Sequence, residues 1–477
     1  MKLVEPQVQV LPLQRFVPLI GDDAGKVLLE QAGRARELLA GTTVWNINTT
    51  AAGGGVAEML QTLLGYSRGA GVDTRWVVMQ GDPEFFRMTK RMHNFFHGSP
   101  GDGGALGEAE RAHFEEVAAM NGQELAAVVR PGDVVLVHDP QPAGLVPLLK
   151  ARGASVVWRS HIGIDATNEW TDAAWSFVRP YVEQADVCVF SRREYVPSWL
   201  ELPVRIIPPS IDPFAVKNAE LAPDVVQAIL GRVGLVRETD GVPPVFTRLD
   251  GSPARVDHVA DVVRAGPPPG PEQPLVIQVS RWDRLKDMHG VMMGFADHVD
   301  GTSEAHLSLV GPNVSGVTDD PEGAEVLDEC ISAWQQLPHS ARARISLVCL
   351  PMHDTEENAA IVNAVQRHAK IVVQKSLAEG FGLTVSEAMW KSRPVVGSAI
   401  GGIQDQLDEA SGVLLPDPTD LEAFGRAVQG LLDDPAAASA KGEAAHQRAI
   451  EHFISTRHLV QYVSLFTELT NGNLADS

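Results

Sequence analysis

The chain has 477 residues, too many for one small core, so length alone predicts two or three domains, with two the prior. With 44% hydrophobic and 21% charged residues it has the balance of an ordinary globular protein, which excludes fibrous and disordered classes. Its 39 basic against 61 acidic residues leave a formal charge of −22, which repels nucleic acid and anionic membrane surfaces, although salt screening lets a few local Arg and Lys hold an anionic ligand.

In chain order, a short apolar run, a loop with Gly, His, Ser or Pro, and a helical segment recur. Strands are expected over 43–47, 75–79, 134–137, 155–158, 187–190 and 204–207, with helices between them such as 56–64 and 170–184. Residues 237–274, which include PPPGPEQP, are Pro-rich and poorly periodic, so they read as an irregular insertion or a loop-rich entry to a second domain. The alternation then resumes, with strands over 275–279, 306–310, 345–350, 371–373 and 394–396. Such alternation argues for α/β architecture: two doubly wound parallel sheets facing a cleft. Cys188, Cys330 and Cys349 are isolated, with no zinc spacing and no disulfide framework, which fits a reducing compartment. The amino terminus has no secretory pattern, and no run approaches the ~20 apolar residues that span a bilayer, so a soluble cytoplasmic protein is expected.

In parallel sheets ligands bind beyond the carboxyl ends of strands, so residues there are the candidates. After the first strand, Gly53, Gly54 and Gly55 precede a helix; they could let a ligand approach the backbone, and a tight turn explains them equally. His138 and Asp139 follow the third run and His161 the fourth; each histidine could bond a sugar hydroxyl, shuttle a proton or be purely structural. Arg281 and Lys286 share the loop SRWDRLKD and suit a diphosphate, or form a solvated surface pair. Glu379 and Glu387 flank GFGLTVS, where Gly380 and Gly382 precede a helix whose first amides could hold a phosphate. Thr384 followed by Glu387 is also a capping-box pattern, which needs no ligand. Phosphate-loop, dinucleotide-fingerprint and H-E-x-x-H motifs are missing, as is an oxygen cluster for a hard cation.

The segments GGGVAEML, EFFRMTKRMHNFFHG, HDPQPAGL, WRSHIG, PPSIDPFAVKN, VSRWDRLKD and QKSLAEGFGLTVSEAMWKSRPVVG together resemble the retaining GT-B glycosyltransferases, and more narrowly trehalose synthases of the glycosyltransferring type. The resemblance implies two Rossmann-like domains around a nucleotide-activated glucose, which is joined to free glucose. It implies that Arg281 and Lys286 neutralise the donor diphosphate while Gly54 and Gly55 approach it. Glu387 would bind the ribose, Glu379 the transferred hexose, and the backbone of Phe381, Gly382, Leu383 and Thr384 would complete the donor site. His161 would face the reacting carbon, and His138, Asp139 and Gln141 would shape the acceptor side. The WRSHIGIDATN loop departs from the family's usual histidine loop.

No resident cofactor or metal is implied. The expected partners are a small sugar nucleotide and a sugar acceptor, with neither nucleic acid nor membrane, and self-association at most as a homodimer. The family often returns its last helix to the first domain, and 455–469 carries Leu459, Val460, Val463 and Leu465 at suitable positions. The expected domains are therefore 1–212 with 455–477, and 213–454. A trehalose phosphorylase, a nucleotide-sugar epimerase of the same fold and a non-catalytic sensor are the alternatives.

Overall fold

The apolar runs become the strands of two sheets in a computed structural model that describes residues 3–51, 55–238, 241–314, 321–472 and 474. The chain divides into two units, Met1–Ser210 with Ile454–Ser477, and Ile211–Phe453. Among the described residues no helix is long and apolar enough to cross a membrane.

The first unit holds a six-stranded parallel sheet of β1 (Val44–Asn48), β2 (Thr74–Val78), β3 (Val134–His138), β4 (Ser155–Ser160), β5 (Val187–Phe190) and β6 (Val204–Ile206), in the order β2-β1-β3-β4-β5-β6. Both faces are covered, which is why β3 is buried from end to end. Val135 and Val137 pack with Phe85, Met88 and Met92 of the helix Pro83–Phe96. Val134 and Leu136, of opposite parity, pack with Leu465 and Phe466 of the last helix, Ser455–Asn471. The segment EFFRMTKRMHNFF is thus an amphipathic core helix, begun by Pro83 at its first turn and by the Asp82 carboxylate, which accepts from the Phe85 amide at 2.8 Å.

In the second unit, residues expected to be irregular contain three short strands. β7 (Val245–Thr247) and β8 (Pro253–Arg255) form an antiparallel hairpin, and β9 (Asp261–Val263) adds antiparallel to the edge of the main sheet. The segment is held by acidic groups at the start of the helix Thr355–His368: Leu249 donates to Glu356 at 2.7 Å, and the amides of Asp257 and His258 donate to Glu357 at 2.7 and 2.9 Å. The main sheet comprises β10 (Leu275–Val279), β11 (His306–Pro312), β12 (Ile345–Leu350), β13 (Ile371–Gln374), β14 (Val395–Ser398) and β15 (Gly412–Leu415), in the order β15-β14-β13-β10-β11-β12-β9. It is parallel except for β9.

Candidate active site

In the second sheet the strand order reverses between β10 and β13, and ligands of doubly wound folds bind beyond the strand ends at such a point. The loops that leave these two strands carry Arg281 with Lys286, and Glu379 with the glycine turn. Gln278, fully buried on β10, stitches them together: its amide donates to the Lys286 carbonyl at 2.6 Å and accepts from the Lys375 amide at 3.0 Å. Leu377 adds a bond to the Leu285 carbonyl at 2.7 Å. Behind them the buried Lys375 ammonium pairs with Asp287 and donates to the Pro418 carbonyl at 2.6 Å. Asp287 in turn begins the helix Met288–His298, accepting from Gly290 at 3.0 Å.

This frame brings Lys286 Nζ to 2.7 Å from Glu379 Oε2, with the two side chains only 16% and 14% exposed. Arg281 lies in the same loop, half exposed, with Asp283 at 3.1 Å. Gly382 adopts φ 83°, which favours glycine, and a Cβ there would stand 3.2 Å from Ile403 and 3.3 Å from Glu379, pressing on both side chains. The helix Leu383–Trp390 then starts, leaving the amides of Leu383 and Thr384 at its positive end. The Phe381 ring is buried, and its carbonyl accepts from Gln406 at 2.6 Å.

The capping-box reading of Glu387 fails. Gly382 occupies the cap position, no side chain caps the helix, and Thr384 already lies within it. The buried Glu387 carboxylate instead meets Gln366 Nε2 at 3.3 Å and Lys217 Nζ at 3.8 Å. One turn on, Lys391 is enclosed, and burial pushes its ammonium down to about 7 against the pull of Glu387.

In the first unit the strand order reverses between β1 and β3. Gly53 and Gly54 lie outside the described residues, and Gly55 is the first residue of the helix Gly55–Gly69. His138 ends β3, and its ring bonds Asn46 Oδ1 through Nε2 at 3.0 Å and His161 Nε2 through Nδ1 at 3.0 Å. Arg159 of β4, fully buried, brings Nε to 3.1 Å from His161 Nε2 and 3.3 Å from His161 Nδ1, and a terminal nitrogen to 3.3 Å from His458 Nε2, while His458 Nδ1 bonds Ser210 at 2.8 Å. Asn46 Oδ1 can only accept, which sets the proton order: His138 Nε2–H donates to Asn46, His161 Nε2–H donates to His138 Nδ1, and Arg159, which can only donate, meets the remaining lone pair at His161 Nδ1. All three imidazoles are then neutral. Burial, followed by the Arg159 charge, drives His138 down to about 3 and His161 and His458 well below the usual range.

Both ring nitrogens of His138 are thus engaged inside the unit, so it holds His161 in place. Asp139, at φ 69°, accepts from the His161 amide at 2.7 Å. Gln141 lies partly exposed in the turn beyond. Sequence reading missed Gln278, Gln366, Lys375, Lys391, Asn46, Arg159 and His458. The available signal was a polar residue within an apolar strand, as in LVIQV, VWNIN and SVVWRS.

Residues 262–448 match the family of glycosyl transferases group 1, and residues 46–197 match the N-terminal domain of trehalose synthase. Among solved structures, the sucrose-phosphate synthase of Thermosynechococcus elongatus superposes with a TM-score of 0.62 at 19% identity, covering 90% of this chain and 100% of that one. Two doubly wound sheets with these matches define a glycosyltransferase of GT-B fold. A trehalose synthase of Rubrobacter xylanophilus is 35% identical over 446 residues, 93% of each chain. A trehalose phosphorylase of Pleurotus pulmonarius is 25% identical over 450 residues, covering 89% of this chain and 56% of that protein. The chain belongs to the trehalose synthase family.

Proposed function

We propose that the protein is a retaining glucosyltransferase that forms trehalose from a nucleoside-diphosphate glucose and free glucose. The observation that carries this reading is the pairing of Lys286 with Glu379 at the switch point of the second sheet, with Arg281 in the same loop. Breaking the anomeric bond builds negative charge on the departing diphosphate, and fixed cations with the first amides of the helix Leu383–Trp390 lower that barrier. Glu379, held by a cation, suits binding hexose hydroxyls better than attacking the anomeric carbon. The leaving phosphate oxygen then takes the proton of the acceptor hydroxyl, as the C1–O bond to phosphate breaks and the C1–O bond to the acceptor forms on the same face. Glu387 binds the ribose hydroxyls. His161, neutral, contributes through position and hydrogen bonding, and its contact with Arg159 at 3.3 Å is the one that a sugar hydroxyl can take over.

The test is product analysis by NMR, with a panel of nucleoside-diphosphate glucoses and free glucose. An α,α-linked disaccharide formed from an α-configured donor is expected. The likeness to a trehalose phosphorylase favours a second reading, in which phosphate replaces the nucleotide. Cleavage of trehalose by inorganic phosphate, with no cleavage by nucleoside diphosphate, would establish that alternative. An altered donor sugar without disaccharide would mark an epimerase.

A further inference from the structure

The surroundings of Glu387 contain more polar construction than a helix core needs. Lys391 has a 4% exposed residue surface, in a place where an apolar side chain would pack at no desolvation cost. Its ammonium donates to Asn218 Oδ1 at 2.9 Å, to Gln366 Oε1 at 2.8 Å and to the Glu387 carbonyl at 3.2 Å, which uses all three of its protons. Asn218 is itself oriented, because its Nδ2 donates to the Asp212 carbonyl at 3.0 Å. Gln366 has the same logic: with Oε1 taken by Lys391, its Nε2 must face Glu387 Oε2. The helix that carries Gln366 is fastened at its first turn by the 237–274 segment through Glu356 and Glu357.

We infer that Gln366 and Lys391 are positioning residues that fix the plane of the Glu387 carboxylate, so that it accepts the paired 2′ and 3′ hydroxyls of a nucleoside diphosphate. Lys391 sets which way the Gln366 amide points, and Gln366 holds one carboxylate oxygen. Lys217, 3.8 Å from the other, balances its charge without saturating it. The inference rests on the reading of Glu387 as the ribose-binding carboxylate.

The test uses the full chain and isothermal titration with UDP, ADP and their 2′,3′-dideoxy counterparts. For the base that binds more tightly, the wild type should prefer the ribose form by about tenfold or more, since a hydrogen bond to a charged group is worth ~1.5–3 kcal/mol. Glu387→Gln, Gln366→Met and Lys391→Met should each reduce that preference to about threefold or less, and a purely structural role would lower affinity for both forms alike. Gln366→Met removes the hydrogen bonds to Glu387 and from Lys391 while leaving the Lys391 ammonium in place, and it serves if Lys391→Met does not fold. If Glu387→Gln loses the preference while Gln366→Met and Lys391→Met retain it, the positioning inference is overturned and the ribose reading stands. If the wild type shows no preference, both fall.

Discussion

Lys286 and Glu379 stand 2.7 Å apart although 93 residues separate them, because each leaves the end of a neighbouring strand where the second sheet reverses its order. Both side chains are largely enclosed by loops that Gln278 ties together. The pair keeps a cation and a carboxylate fixed before any ligand arrives, which is the preorganisation that transition-state charge stabilisation requires.

Lys286→Met should therefore lower kcat for glucosyl transfer by ~10²–10³, the usual consequence of losing one fixed donor to developing charge. Glu379→Gln should cost less, and the double variant less than the sum of the two, because the residues touch. Initial rates with the preferred donor measure this, and a Lys286→Met enzyme within about threefold of wild type would remove Lys286 from the transition-state site.

Gly382→Ala probes the turn that starts the helix. A left-handed alanine costs ~1–2 kcal/mol, and its Cβ would press on the Glu379 side chain. Stability should fall by that amount while kcat/KM drops at least ~10-fold, because small displacements of positioning groups are expensive. Thermal unfolding and steady-state rates check both parts. An unchanged kcat/KM would mean that Glu379 does not need its present place.

The three neutral histidines predict sensitivity to acid. His138 has its proton affinity lowered to about 3, and His161 and His458 are lowered as well, whereas the same residues in an unfolded chain titrate near 6.5. Below that value the unfolded state binds more protons at these residues than the native state, so each histidine lowers stability as pH falls, by ~1.4 kcal/mol per pH unit once well below 6.5, while buried Asp139, raised to about 7, offsets one of the three. Urea denaturation from pH 7 to pH 5 should show this loss, with a shallower slope for His138→Gln. Equal slopes for the two proteins would show that His138 is not held neutral.

The strand ends of both sheets are legible because parallel strands covered on both faces read as unbroken apolar runs, and the switch-point rule then points at Arg281, Lys286 and Glu379. The supporting residues are not legible, because their partners are remote: Gln278 meets Lys375 across 97 residues, and Arg159 meets His458 across 299. Thr384 and Glu387 misled because a capping pattern is local, whereas a left-handed Gly382 had already begun the helix. β7, β8 and β9 are three residues each, and carboxylates about a hundred positions away hold their segment, so no periodicity announces them. β15 also went unread, although it is as long as β13 and β14, which were read.

Lys391 supplies a prediction of the opposite pH window. Its folded-state value of about 7 lies below the 10.5 of a free lysine because burial, helped by the charges of Arg367 and Lys217, outweighs the opposing pull of Glu387 and Glu220. Between those limits the unfolded chain still holds the proton that the native state has released, so this residue makes stability rise with pH from about 7 upward. Lys391→Met lacks the titration. The stability difference between the two proteins should therefore shift toward the wild type by ~1.4 kcal/mol per unit as pH rises from 7.5 to ~9. At pH 7 the methionine variant escapes the desolvation of a charge but leaves Asn218 and Gln366 without their donor, so the slope and not the absolute value is diagnostic. Paired urea titrations at three pH values measure it. A constant difference would mean that Lys391 stays charged throughout, paired with Glu387 strongly enough to outweigh its burial.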